Sequence, residues 1–196
     1  MRKSATLTDL LCQIKDKRRK QGTRHRLSDI LQVVILGTMS GYYGYRALED
    51  FCKRYENDLQ IVLGQPKHGV PSSSCIRRVI MELDFNIVSQ KFYQWIRGKV
   101  PIRNKEWLQI DGKGINGTVT NSNNKYQNYV NLVSLFMDRT GIVLNVLCMN
   151  NKEQNEIYVA RELIKRLTMK NIVLSMDAAH CQKKRQNKSL HQAMII

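Results

Sequence analysis

The chain has 196 residues, and its 32 lysines and arginines against 16 aspartates and glutamates give a formal net charge of +16 at pH 7. Its most apolar stretch, residues 30–39, is far shorter than the ~20 residues that cross a bilayer, which argues against a membrane protein. Five cysteines without C-x-x-C spacing argue against a disulfide framework and a structural zinc site.

The positive charge indicates a polyanionic partner, and nucleic acid is the obvious one. Such a charge predicts affinity that depends on phosphate contacts and falls with salt. A solvated basic surface without a partner and a ribosome-like RNA binder are both compatible with charge alone. Residues 1–20 contain no uninterrupted apolar core, so no signal peptide is expected and a cytosolic protein is predicted.

Apolar periodicity predicts a helical domain over residues 1–100, with a boundary at residues 100–105 around Pro101. Ser28 is the expected N-cap of its first long helix, and Ser72 or Ser73 that of its third. The tyrosines at 42, 43 and 45 favour packing against a neighbouring helix over stacking on bases. The predicted helices end at Met39, span 46–63, end at Met81 and span 86–99.

Two basic segments of this helical domain are candidates for DNA contact. A basic run precedes the first long helix, and two arginines lie on the third helix after a linker with two prolines. That arrangement fits a helix-turn-helix-like DNA reader and, equally well, a helical bundle with solvated arginines. The candidates are Lys17, Arg18, Arg19, Lys20, Arg77 and Arg78.

The second domain, residues 101–196, has apolar runs that predict strand, strand, strand, helix and strand. An Asp-x-x-Gly turn at 138–141 joins the second and third strands. The first and fourth strands each end in an aspartate, as expected for the start of an RNase H-like fold with acids on adjacent central strands. The predicted class is therefore α+β, with an incomplete RNase H-like mixed sheet. The predicted strands are 107–110, 129–137, 142–149 and 171–176, with the helix around Ala160, Leu163, Ile164 and Leu167.

Asp111 and Asp177 are the aspartates that close the first and fourth strands. A carboxylate in an apolar setting is costly unless it is paired or binds a metal. One such aspartate alone favours a turn or cap residue, but the two together favour a divalent-metal site. His180 and Cys181 lie beside Asp177 and are more consistent with structural roles than with metal binding.

Five short motifs occur in one order along the chain. They are G-x-x-H-x-L-x-D-I-L at 22–31, V-P-S at 70–72 with R-V at 78–79, I-D-G-K-x-x-x-G at 110–117, K-x-N-E-I with one extra residue at 152–157, and D-A-x-x-C-Q-K at 177–183. In these motifs the chain resembles the H-repeat-associated transposases, a group of bacterial insertion-sequence DDE transposases. The resemblance runs from about residue 16 to residue 183.

The resemblance implies DNA transposition by metal-dependent strand cleavage and transfer, with Mg²⁺ or Mn²⁺ as the cofactor. Asp111 would bridge two ions and Asp177 would bind one of them. Lys113 would approach a phosphate or remain a solvated charge. Glu156 is expected to open a helix, where a carboxylate suits the dipole, and is not assigned to the metal. The implied partner is double-stranded DNA, at transposon ends and target, with a homo-oligomer on DNA and a cytoplasmic, nucleoid-associated location in a bacterium.

A complete DDE site needs a third acid, usually a glutamate, on a helix after a further strand. No matching segment follows residue 183, so a premature end is expected in preference to a short natural variant. Two functions follow: a transposase that is inactive as this chain, or a non-catalytic DNA-binding remnant that inhibits full-length transposase. A cellular RNase H-like nuclease is disfavoured by the helical N-terminal domain.

Overall fold

The computed structural model describes residues 5–19, 21, 23–120, 128–150, 156–166, 171–176 and 193–195. The chain divides into two compact units, Met1–Val88 and Ser89–Ile196. Among the helices within these ranges, none is long and apolar enough to cross a membrane. The α+β class predicted from the sequence is confirmed, because helices are followed by a mixed sheet.

The first unit is built from helices around one apolar core. Its core residues include Leu11, Ile30, Val33, Phe51 and Ile76, all buried. The first helix, which the sequence analysis did not predict, begins with a capping box in which Thr6 and Asp9 satisfy each other's backbone amides. The helices are α1 Leu7–Cys12, α2 Leu27–Met39, α3 Tyr45–Arg54, α4 Glu56–Val62 and α5 Ser73–Glu82.

Two local predictions in this unit are wrong. Ser28 is not the N-cap of α2: the cap is Arg26, and Ser28 is buried in the first turn. The adjacent Asp29 supplies the acidic group of that turn and accepts a hydrogen bond from Arg26 Nε at 2.9 Å. The predicted long helix over 46–63 is two helices, because the backbone at Tyr55 departs from helical geometry (φ −112°, ψ 29°) and α4 then restarts.

Helices α2 and α3 approach each other closely at Gly37. A Cβ at this position would lie 2.5 Å from Leu48 Cδ2 and 3.1 Å from a ring carbon of Phe51. The absence of a side chain on Gly37 therefore lets the apolar face of α3 reach the backbone of α2.

The second unit begins within α6, Phe85–Arg97, from Ser89 onward. The Ser89 hydroxyl contacts Asn145 Oδ1 and donates to the carbonyl of Val146. Tyr93 is buried in the core of this unit. The sequence analysis grouped residues 86–99 with the helical domain, whereas these contacts join most of α6 to the sheet.

The sheet of the second unit has the order β3-β2-β1-β4-β5. The pairs β1–β2 and β2–β3 are antiparallel, and β1–β4 and β4–β5 are parallel. The predicted succession of strand, strand, strand, helix and strand is present, and β5 is an addition that the sequence analysis did not predict. The elements are β1 Glu106–Thr120, β2 Asn128–Met137, β3 Ile142–Asn150, α7 Glu156–Arg166, β4 Ile172–Met176 and β5 Ala193–Ile195.

One face of this sheet carries the core of the second unit. Leu108 and Ile110 of β1 are buried there, and Leu163 of α7 packs into the same cluster. Side chains alternate between the two faces of a strand, so Gln109, Asp111 and Lys113 lie on the opposite face. All three are exposed.

An ion pair between the buried Glu106 and the partly exposed Arg139 fixes the start of β1. The Glu106 side chain is 4% exposed, and Arg139 Nε lies 3.0 Å from its Oε1. Arg139 also donates to the carbonyl of Pro101 at 3.0 Å. The hydrogen bonds from Arg139 lower the pKa of Glu106, so the carboxylate stays charged in this position.

Candidate functional site

Asp111 lies within β1 and not at its end. The strand continues to Thr120, and Asp111 pairs with Ser134 in the antiparallel ladder with β2. The carboxylate is exposed, so the expectation of a strand-closing aspartate in a buried setting is wrong. The reason is that pairing with β2 holds the chain extended through Gly112 and Gly114, two residues with low strand propensity.

The partner strand of Asp111 on its other side is β4. These two strands are parallel neighbours, and their last described pair is Ile110 with Met176. Asp111 and Asp177 are the residues that follow these two in the chain. Asp177, His180, Cys181 and Lys183 lie outside the described residues, so the described structure contains one half of the predicted aspartate pair.

Within the described part of the chain, no group of three histidine, cysteine, aspartate or glutamate side chains could hold a metal ion. Asp111 is nevertheless suited to a hard divalent cation, because its oxygens are exposed and carboxylate oxygen is the ligand type that Mg²⁺ prefers. Lys113 stands two residues further along the same face of β1. Glu156 is the first residue of α7, in agreement with the prediction that it opens a helix.

A second candidate site is lined by described residues of the first unit. It is a cavity of about 700 Å³, hereafter the basic cavity. The predicted candidates Lys17, Arg18 and Arg19 line it from one side and Arg78 of α5 from another. Arg77 does not line the cavity. Lys20 lies outside the described residues. The fold thus brings the basic run together with one of the two arginines of α5.

Arg18 differs from the other cations of the basic cavity because its guanidinium is engaged. Its Nε and Nη2 donate to Asp16 at 2.9 and 2.7 Å, and Nη2 also donates to the carbonyl of His25 at 2.9 Å. These hydrogen bonds lower the pKa of Asp16. Arg18 therefore braces the loop that leads into α2, while Lys17, Arg19 and Arg78 have exposed side chains.

The sequence analysis missed several residues of the basic cavity. Arg24 lines it, as do Ser72 and Ser74 at the start of α5. His25 also lines it but is buried, edge-on to His68 with ring centroids 6.5 Å apart, and burial lowers the pKa of its imidazole. The density of basic residues before α2 was a signal for Arg24. No local signal connects that loop with the serines of α5.

Comparison with known proteins gives two kinds of match. Residues 8–96 match a family model described as DDE_Tnp_1-associated, which covers nearly all of α1–α6. Over 178 residues the chain is 30% identical to "Putative transposase YncI" of Escherichia coli O157:H7, covering 91% of this chain and 45% of that protein.

Two proteins of Escherichia coli strain K12 are also similar. "Putative transposase YncI" of that strain is 29% identical over 178 residues, 91% of this chain and 70% of that protein. "H repeat-associated putative transposase YbfD" is 28% identical over 170 residues, 87% of this chain and 66% of that protein. The chain spans about half the length of the O157:H7 relative. The resemblance inferred from the five motifs is confirmed.

Proposed function

Because the chain is related to the H repeat-associated transposases, we propose that it acts in the transposition of a bacterial insertion sequence. In this proposal its partner is double-stranded DNA, at the transposon ends and at the target. The first unit supplies DNA affinity through its basic surface, and the second carries the carboxylates of a DDE site. A homo-oligomer on DNA and association with the nucleoid belong to the same proposal.

The sheet supports an RNase H-like catalytic domain. Its two antiparallel pairs are followed by a helix and by a strand that pairs in parallel with β1, the central strand. That arrangement makes neighbours of β1, which carries Asp111, and β4, which Asp177 follows in the sequence. Fold alone does not decide function, so the proposal depends on the residues of the site.

The single observation that carries the proposed metal site is the register of β1 and β4. Leu108 pairs with Leu174 and Ile110 with Met176, in an unbroken parallel ladder. The proposed site requires this register to continue by one residue, which would set Asp111 beside Asp177. In a parallel pair, residues in register share one face of the sheet, so both carboxylates would then be available to one cation.

The chemistry proposed for this chain is phosphodiester displacement. Bound Mg²⁺ or Mn²⁺ would activate the attacking oxygen and stabilise the leaving one. Asp111 would be one of the residues that hold the metal, since its exposed carboxylate is open to solvent on the face opposite the core. Asp177 would bind one ion. Lys113, on the same face of β1, would hold a phosphate of the DNA strand near the carboxylates.

Binding of Mn²⁺, followed by electron paramagnetic resonance, tests the metal site directly. We expect weak binding that is lost in both Asp111→Asn and Asp177→Asn, because two carboxylates hold a divalent cation loosely and one holds it hardly at all. Asp138→Asn is the matched control, since Asp138 is an exposed aspartate of the same unit that accepts from Gln109. Equal loss in all three variants, or no loss in Asp111→Asn, would exclude the site.

A second function, DNA binding without strand transfer, is favoured by the basic cavity, because all of its described lining residues belong to the first unit. A protein of this kind would occupy transposon ends or assemble with full-length copies and inhibit them. Incubation with labelled transposon-end DNA and Mn²⁺ separates the two functions. Binding without cleavage would favour the non-catalytic function. Cleavage that disappears in Asp111→Asn would establish the enzyme and refute the non-catalytic alternative.

A further inference from the structure

We propose that the basic cavity is a built site for the sugar-phosphate backbone of duplex DNA, contacted by Lys17, Arg19, Arg24 and Arg78. This inference deepens the proposed function and rests on it, because it names the place where DNA binds. It also separates residues that the sequence treats alike, since Arg78 lines the cavity and its neighbour Arg77 does not.

The charges around the cavity are the first argument. Four exposed cations line it, and Glu82 is the one acidic residue among the described lining residues. Like charges gathered around one cavity repel each other. An anion placed between them would reduce that repulsion.

The lining of the cavity identifies the class of anion. Pockets for small molecules are mostly apolar with a few polar groups, whereas this cavity is rimmed by cations and hydroxyl groups. Arginine, lysine, serine and threonine side chains are the usual donors to phosphate oxygens of DNA. An elongated polyanion on an open cavity fits this lining better than an enclosed metabolite.

Ser72 and Ser74 add hydrogen-bond donors at the start of α5. Their hydroxyl oxygens lie 3.2 Å apart, and both residues line the cavity. The backbone amide of Ser73 is already used, since it donates to Glu49 at 3.2 Å. The hydroxyl groups and the arginines, more than free helix amides, would therefore hold a phosphate oxygen. The positive end of the α5 dipole adds to the same field.

Paired substitutions test the site. Fluorescence anisotropy with a labelled DNA duplex would compare Arg78→Ala with Arg77→Ala, two exposed arginines that follow each other on α5. A charge-assisted hydrogen bond to phosphate predicts roughly tenfold weaker binding for Arg78→Ala and a salt slope smaller by about 1. Arg77→Ala should stay within about twofold of wild type. Lys17→Ala and Lys15→Ala form a second pair, because Lys17 lines the cavity and Lys15 does not. Lys17→Ala should weaken DNA binding more than Lys15→Ala.

The outcomes separate this inference from the proposed function. Wild-type protein that does not bind duplex DNA at low salt would refute DNA binding altogether. Wild-type binding with equal effects of Arg78→Ala and Arg77→Ala would leave DNA binding intact and overturn the cavity assignment. Far-ultraviolet circular dichroism of each variant shows whether the helices have formed.

A thiol footprint on the wild-type chain needs no substitution. Cys75 lines the basic cavity, while Cys12 is an exposed cysteine of the same unit that does not. Alkylation with N-ethylmaleimide, quantified by peptide mass spectrometry, should slow at least severalfold at Cys75 when duplex DNA is bound. The rate at Cys12 should not change. Equal rates at Cys75 with and without DNA would overturn the assignment.

Discussion

The two units of this chain place their candidate site residues in different ways. The first unit gathers cations from the loop before α2 and from α5 around a cavity of about 700 Å³. The second unit relies on the register of two neighbouring strands, where a shift of one residue would send Asp111 to the other face. Electrostatic attraction acts over about 10 Å and tolerates loose placement, whereas a metal ion requires oxygens near 2 Å. Binding by charge is therefore the more robust of the two candidate functions.

The largest expected effect comes from truncating one core residue in each unit, because each truncation should impair only the function of its own unit. Leu108→Ala in β1 and Ile76→Ala in α5 each remove a fully buried side chain and should cost about 3 kcal/mol of unfolding free energy. Leu108→Ala should weaken Mn²⁺ binding and leave DNA affinity unchanged. Ile76→Ala should weaken DNA binding and leave Mn²⁺ binding unchanged. Urea denaturation measures the loss of unfolding free energy, and hydrogen-exchange mass spectrometry shows in which unit it occurs. Mn²⁺ and DNA titrations measure the two binding functions. Loss of both functions in either variant would show that the units depend on each other.

Salt provides the next largest contrast. Four phosphate contacts at the basic cavity predict a log–log slope near −3.6, so DNA affinity should fall roughly a hundredfold between 50 and 200 mM salt. Anisotropy titrations across a potassium chloride series measure the slope. A flat response would contradict the electrostatic account of the first unit.

Glu106→Gln tests the ion pair that anchors β1. Arg139 would lose its charged partner, and the second unit should become less stable. The pKa of Glu106 is lower in the folded protein than in the unfolded chain. Its contribution to the free energy of unfolding is therefore complete above the ordinary glutamate pKa and disappears as the pH falls through the pKa of the folded state. The midpoint temperature of thermal unfolding should therefore fall more steeply for wild type than for Glu106→Gln as the pH is lowered from 7. Parallel curves would contradict this role.

Thr6→Ala gives the smallest expected effect, and it belongs to the first unit. The capping box of α1 would lose the hydroxyl that accepts from the Asp9 amide at 3.1 Å, at a cost of about 1 kcal/mol. Hydrogen exchange should rise in α1 and stay unchanged in β1. A change in β1 would show that α1 supports more than its own unit.

Local sequence patterns predicted most of the secondary structure because each element carries its own signal. The β-branched runs and the Asp-x-x-Gly turn indicated β2 and β3, where Gly141 takes a positive φ of 68°. The break at Tyr55 carries no glycine or proline, and the packing of its ring on Phe51, four residues earlier, is equally compatible with a continuous helix. The extension of β1 past Asp111 was equally hidden, since two glycines argued against a strand that only its pairing with β2 maintains.

Some residues of each candidate site could be predicted from the sequence, and others could not. The sequence indicated Asp111 and the basic run, since an acid after an apolar run and a cluster of charges are both local features. It did not distinguish Arg77 from Arg78, because adjacent residues on a helix point about 100° apart and only the packing of α5 determines which one faces the cavity. Arg24, Ser72 and Ser74 meet only in three dimensions.

The ladder around β1 also implies a gradient of local stability along that strand. Among the described pairs, Leu108, Gln109 and Ile110 have partners in both β2 and β4, whereas Glu106 and Trp107 pair with β4. Backbone amides bonded within a sheet interior open more rarely than those at a margin. Asp111 directly follows the three doubly paired residues, so a cation held by its carboxylate would be anchored beside the segment of β1 that exchanges its amide hydrogens most slowly.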